Sequence, residues 1–378
     1  MNVEQGLPTR LTQVSFATWQ MSDSAERLVA SAYAHGVDNL WIYSPSHPAV
    51  LKAILENPEI ANQARGAGYW IWRAYILLDA MDQLADGDLL FYTDVGISYI
   101  GDPRPVFALA EERDIVLFNV GRLPGTHRYL TKRDTLVLLD ADNAENWDER
   151  LVLPGVAIYR VNQKTRAFVR ECLEAMRDPR VLTDMPNCCG LDNFPEFQLH
   201  CHDMSVVTVI ATRHGIRRTR WPGIPPRPED DGDYPQVLYR HALRNPGAPR
   251  FVAATAAAEA AKREGTPAFL YGGPGISRDL MRARAGETYE RWKHRKRVLP
   301  DDFDPTTYLA LHPDLAVLAI DPAHHYLEWG MNSRLYRLPP DYDDAEYLRL
   351  NPDVALAGVD AKHHYATFGH LEGRKYRS

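Results

Sequence analysis

An apolar run, Leu89-Leu90-Phe91-Tyr92, leads directly into Thr93-Asp94-Val95-Gly96. A strand buried on both faces reads as such a run, and a carboxylate at its carboxyl end projects into the crevice where open α/β sheets bind ligands. Asp94 placed there can hold a divalent cation that bridges two phosphate oxygens. The same letters also suit a strand followed by a plain turn. A second cluster, RGAGYWIWR, spans Arg65 to Arg73. Gly66 and Gly68 allow close backbone approach, Arg65 and Arg73 offer forked donors to an anion, and Tyr69, Trp70 and Trp72 supply flat faces. A buried aromatic turn is the bland alternative. The third cluster is HCHDMS, in which His200, His202 and Asp203 precede a helix whose amino end carries partial positive charge. These residues suit a ligand set or a base, or else a helix cap.

Elements that could position such residues alternate along the first 220 positions. RLTQVSFATW, NLWIYS, GDLLFYTDVG, DIVLFNV, DTLVLLDA and GVAIYRV read as strands. DSAERLVASAYAHG, HPAVLKAILENPEI and the second half of GYWIWRAYILLDAMDQLADGD read as helices; in the last, Ile76, Leu77, Ala80, Met81 and Leu84 share one face. This alternation predicts an α/β domain with a mainly parallel sheet flanked by helices, and Asp94 falls at a strand's carboxyl end. WPGIPPRPEDDGDYPQ reads as an irregular excursion, AATAAAEAAKREG as a helix by propensity, and ETYERWKHRKRVLPDD as a solvated helix. The expected organisation is a domain over 1–245, a helical linker over 246–300 and a tail over 301–378.

Composition narrows the classes. The chain has 378 residues, 45% hydrophobic and 25% charged, with a net charge of −7, so nothing favours a nucleic-acid or anionic-membrane partner. No run of 18 apolar residues predicts a transmembrane helix, and MNVEQGLPTR lacks the pattern of a secretory leader. Cys172, Cys188, Cys189 and Cys201 make no disulfide framework, which fits a reducing cytoplasm, and their spacing matches no standard zinc pattern.

The tail repeats itself. The stretches starting at Phe303 and Tyr342 superpose at a period of 39, pairing Tyr308 with Tyr347, Pro313 with Pro352, His325 with His364 and Gly330 with Gly369. Each copy predicts short helices around a His/Asn-Pro-Asp turn, and two copies must pack on each other, on the first domain or on a second chain. The paired histidines, His324-His325 and His363-His364, read as repeated packing beside tyrosines rather than as metal ligands.

Taken in order, RGAGYWIWR, LLFYTDVG, YLTKRDTLVLLDAD, RDPRVLTDMPN and HDMS resemble a bacterial family of GT-A-type glycosyltransferases found among genes for capsule, O-antigen and exopolysaccharide. The resemblance covers roughly residues 10 to 220. The tail repeats are similar to modules attached to polysaccharide glycosyltransferases. The resemblance implies a Rossmann-like GT-A domain, a nucleotide-sugar donor with its diphosphate near Asp94, a glycan acceptor, and Mn²⁺ or Mg²⁺ held by Asp94 and His202. DVG departs from the family-wide Asp-x-Asp, because Gly96 stands where a second carboxylate would be. WRAY replaces a usual Lys-Pro. On this basis Arg65 and Arg73 neutralise phosphate, with Gly68, Tyr69, Trp72, Tyr92 and Thr93 around them. Thr18, Trp19 and Tyr43 line a nucleoside pocket, and Lys132, Arg133 and Asp134 shape the donor or acceptor side. Asp203 is the preferred base for an inverting reaction, with Asp192 second. Two rivals stand beside this expectation: a non-catalytic carbohydrate-binding protein and a sugar-phosphate nucleotidyltransferase. A dinucleotide oxidoreductase is disfavoured because no G-x-G-x-x-G follows the first strand.

Overall fold

The computed structural model describes residues 11–63, 65–120, 125–228, 230, 232, 234–241, 268–293, 303–311, 322–326, 338, 342–356, 361–365 and 374–377. It divides into two compact units, Met1–Arg240 with Pro246–Lys293, and His241–Asn245 with His294–Ser378.

The first unit is built on a seven-stranded sheet. Its strands are β1 (Leu11–Phe16), β2 (Leu40–Tyr43), β3 (Leu89–Thr93), β5 (Ile115–Asn119), β6 (Val152–Arg160), β7 (Arg218–Thr219) and β9 (Phe269–Tyr271), in the order β7-β5-β6-β3-β1-β2-β9. Five strands run in one direction, and β6 and β9 oppose them. The expected mainly parallel α/β sheet is therefore present, with one antiparallel strand inserted beside β3. Two short strands, β4 (Ile97–Tyr99) and β8 (Leu238–Arg240), pair separately.

Alternation along β3 sorts its side chains. Leu90 and Tyr92 enter the core on one face, and Leu89 and Phe91 enter the core on the other. None is more than 4% exposed, which is why the run is apolar throughout. The first face is covered by α2 (Pro48–Glu56), α3 (Trp72–Gln83), α5 (Gln163–Met176) and α6 (Asp203–Arg213). Ile76, Leu77, Ala80 and Met81 form the buried stripe of α3, as their spacing predicts, while Leu84 of the same expected face lies just past the helix end in extended conformation, half-buried. The second face is covered by α1 (Ser22–Ala34) and α7 (Arg278–Lys293).

Two local expectations change. DTLVLLDA is a helix, not a strand: α4 spans Arg133–Leu138. Its β-branched composition yields to an amino-terminal turn anchored by Asp134, whose carboxylate is engaged by neighbouring backbone rather than by a ladder. The segment expected as a linker also contributes to the first unit. β9 pairs with β2, and α7 packs along α1, with the Arg27 guanidinium 4.9 Å from the Trp292 ring and Arg291 Nε donating to Glu26 at 2.6 Å. The helix expected over AATAAAEAAKREG lies outside the described residues. Among the described residues no helix is long and apolar enough to cross a membrane.

In the second unit the repeat has a concrete counterpart. The Tyr308 hydroxyl and His325 Nδ1 are hydrogen-bonded at 2.6 Å, and Tyr347 and His364 form the same pair at 2.8 Å. Tyr347, Val354, Ala361 and Tyr365 make a small apolar cluster. Asn351 Nδ2 donates to the carbonyls of Tyr347 and Lys375, tying the turn of the second copy to the chain end. The side chains of His324 and His363 lie outside the described residues.

Candidate active site

Period-two alternation puts Asp94 on the same side of the sheet as Leu90 and Tyr92, where α3 and α6 begin. Arg73 is the second residue of α3 and Asp203 the first of α6. Arg73 is 6% exposed, and its guanidinium forks: Nη2 donates to Asp94 Oδ1 at 3.1 Å and Nη1 to Asp203 Oδ2. The Tyr92 hydroxyl donates to the same Asp94 oxygen at 3.1 Å, and the Arg73 guanidinium lies 5.2 Å from the Tyr92 ring. Removing one member of such a buried ion pair typically costs about 3–5 kcal/mol, because the other charge is left uncompensated. The Asp94 amide donates to the Gly155 carbonyl at 2.7 Å, extending the β3–β6 ladder by one bond. A Cβ on Gly155 would collide with Asp94 Oδ2.

These residues border a cleft of about 410 Å³ whose lining includes Arg65, Trp70, Asp94, His202, Asp203 and Arg240. Arg65 and Arg240 are exposed and make no ion pair among the described residues. Two free guanidinium groups facing a cleft beside a buried carboxylate–guanidinium cluster suit a polyanion of two or more phosphates.

The motif RGAGYWIWR has an unusual backbone. Five successive residues have positive φ: Gly66 57°, Ala67 54°, Gly68 94°, Tyr69 51° and Trp70 61°. This left-handed turn costs a non-glycine residue about 1–2 kcal/mol. Several contacts hold it. The Tyr69 amide donates to the Arg65 carbonyl at 2.8 Å, Trp72 Nε1 to the Gly66 carbonyl at 3.0 Å, and the Tyr69 hydroxyl to Asp184 at 3.1 Å. At Gly68 a Cβ would lie 2.7 Å from the Ala61 Cα, so the close approach requires glycine. The turn brings the rings of Tyr69 and Trp70 to 4.5 and 5.9 Å from that of His202. His202 is also strained, with φ 48° and ψ −117°. Its Nδ1–H donates to the Leu182 carbonyl at 2.9 Å, leaving Nε2 as the lone-pair nitrogen, 3.8 Å from Asp184. Burial pushes the His202 imidazole down to about 4, so it is neutral at pH 7. Strain concentrated at a cleft is a recognised mark of function.

The remaining expected residues scatter. Tyr43, expected in a nucleoside pocket, is sealed in the core with its hydroxyl donating to Asp79 at 2.7 Å. Burial and the Asp79 charge push that phenol up. Thr18 and Trp19 are half-buried after β1, away from the cleft lining. Trp72 packs its ring 4.1 Å from Phe16, and Thr93 is buried against Gln13 Nε2 at 2.8 Å. Lys132 donates to the Met185 carbonyl at 2.8 Å, and burial lowers its ammonium pKa. Arg133 pairs with Asp142 at 2.7 Å and stacks 4.1 Å over Phe194. Asp134 is buried and accepts the amides of Cys188 and Cys189. Asp192 is exposed and does not line the cleft. Sequence reasoning missed Gly155, Asp184, Trp221 and Arg240. Asp184 stood inside the quoted stretch RDPRVLTDMPN, but nothing in the spacing joined Gly155 or Arg240 to residue 94.

Mn²⁺ or Mg²⁺ was the expected occupant of Asp94 and His202. The residues around Asp94 do not fit it: Oδ1 already accepts from Arg73 and Tyr92, and a guanidinium stands between the two carboxylates. Among the described residues one group brings three metal-capable side chains within 4.8 Å, Asp134 with Cys188 and Cys189. Its thiols favour a softer divalent ion such as Zn²⁺ over Mn²⁺ or Mg²⁺, while both Asp134 oxygens already accept the Cys188 and Cys189 amides. The four cysteines are free thiols.

No protein-family model matches the chain, and no curated protein matches it. Among solved structures it is similar to mouse xyloside xylosyltransferase 1, with a TM-score of 0.33 and 11% identity over 56% of this chain and 84% of that one. It is also similar to the galactosyltransferase LgtC, at 0.33 and 12% over 68% and 97%. A third is the bifunctional glycosyltransferase WbbM, at 0.35 and 9% over 76% and 52%.

Proposed function

We propose that the first unit is a GT-A-like glycosyltransferase that moves a sugar from a nucleoside-diphosphate donor, a UDP-sugar, to a hydroxyl of a glycan in bacterial surface polysaccharide synthesis. The observation that carries this reading is the convergence of Asp94, Arg73 and Asp203 with the unpaired Arg65 and Arg240 on one cleft at the end of β3. In the transfer, the acceptor oxygen bonds to the anomeric carbon while the bond from that carbon to the diphosphate breaks, and the diphosphate keeps the electron pair. Arg65 and Arg240 meet the charge that develops there, and a fixed donor is worth most where charge develops. The hydroxyl proton goes to a carboxylate. Asp203 lines the cleft and Asp192 does not, so Asp203 takes that role through the oxygen that Arg73 does not engage.

Trp70 and Trp221 on the same cleft also suit stacking on a sugar, which keeps the non-catalytic binding reading in play. Hydrolysis of a panel of UDP-, GDP- and CMP-sugars separates the two. A transferase turns over at least one donor slowly without acceptor and loses this in Asp94→Ala with an unchanged circular dichroism spectrum. A binding module turns over none.

A further inference from the structure

We propose that the Arg73 guanidinium is the resident cation between Asp94 and Asp203, taking the charge-balancing place a divalent ion would otherwise hold, so that the cleft receives its diphosphate without a metal on Asp94. The consequence for donor binding rests on the function proposed above. The identity of the cation itself does not.

Four observations carry it. The position two residues after Asp94 is glycine, so the strand end offers one carboxylate rather than two. The second carboxylate comes instead from the first residue of α6, and Arg73 engages both acids with different nitrogens of one planar fork. A guanidinium spans two carboxylates with fixed geometry and cannot be deprotonated at physiological pH, which suits a permanent bridge. The bridge is enclosed: the Arg73 side chain is 7% exposed and that of Asp203 7%, while Asp94 keeps 36% towards the cleft. Finally, the cleft-lining charges among the arginines and aspartates are three guanidinium groups against two carboxylates. The cleft is therefore already net positive before anything binds. A cation added at Asp94 Oδ1 would have to displace one arm of the Arg73 fork, which holds Asp94 and Asp203 together.

The test uses the full chain and Mn²⁺ alone, with bound ion read by the loss of its free electron paramagnetic resonance signal. In the wild type, Asp94→Asn should change Mn²⁺ affinity by less than about twofold; a larger loss overturns the proposal. Arg73→Ala leaves two facing carboxylates, and should gain a Mn²⁺ site at least about tenfold tighter than any in the wild type. The gain should vanish in Arg73→Ala/Asp94→Asn and be competed by added guanidinium. A folded Arg73→Ala protein without that gain also overturns it. If Arg73→Ala does not fold, the comparison of wild type with Asp94→Asn decides alone. Calorimetric UDP binding, measured with EDTA and again with Mn²⁺, should give the same affinity. UDP that binds under neither condition removes the proposed function, while the Mn²⁺ arms still identify the cation.

Discussion

The carboxylate of Asp94 lies over the Cα of Gly155, the residue whose carbonyl accepts the Asp94 amide at 2.7 Å. The pair is a product of antiparallel register: Thr93 faces Val156, so the next residue of β3 meets the preceding residue of β6. Gly155→Ala should therefore push the acid off its position. Expected are a loss of transfer of about tenfold or more and a destabilisation of about 1–3 kcal/mol, the usual range for forcing an extra methyl into a packed site. Unchanged turnover at saturating donor would show that Asp94 tolerates displacement.

Arg65 and Arg240 approach the cleft as exposed groups with no ion pair among the described residues, so neither should matter to folding. Each single alanine variant should keep the wild-type melting temperature and weaken UDP binding by about 1.5–3 kcal/mol, the typical worth of a charge-assisted hydrogen bond. Titration calorimetry at two salt concentrations checks both points, since the weakened variants should also show a shallower salt dependence.

The left-handed turn makes a prediction of opposite signs at adjacent positions. Ala67 has φ 54° and only a partly buried Cβ against the core, so relief of the left-handed strain should outweigh the lost contact and Ala67→Gly should stabilise the protein by up to about 1 kcal/mol. Gly68→Ala, with φ 94° and the Ala61 backbone 2.7 Å from the new Cβ, should destabilise it by more than that. Urea midpoints of the two variants decide, and a shift in the same direction for both would refute the assigned backbone.

Acid should weaken the first unit steeply. Burial lowers His202 to about 4 and His127 to about 3, and His200 well below its ordinary value. Each stays neutral in the fold but takes up a proton on unfolding once pH drops below about 6.5. The stability they allow is complete above that value and is lost as pH falls towards the folded values, by up to about 1.4 kcal/mol per unit for each group. Urea unfolding between pH 7 and 4.5 measures this slope, and His127→Gln should make it shallower. His127 is the informative choice because it is wholly buried, with Nδ1 hydrogen-bonded to Thr131 Oγ1 at 2.8 Å, and does not line the cleft.

Much of the frame can be read in one dimension because its signals are local. The run Leu89–Tyr92 had to be a strand buried on both faces, and the stripe Ile76-Leu77-Ala80-Met81 had to be one side of a helix. Residue types at strand and helix ends singled out Asp94, Arg73 and Asp203 as chemically able. Which of them touch is another matter. Arg73 and Asp203 are 130 positions apart, and their meeting depends on two helices starting over the same strand end. Gly155, Asp184 and Arg240 carried no local signal at all, and Tyr43 carried a misleading one: a strand-end tyrosine whose hydroxyl was claimed by Asp79 inside the core. Periodicity reports how each segment partitions between water and interior, so it sets the elements. Long-range pairing of charges depends on register and packing between segments, and only the assembled chain decides it.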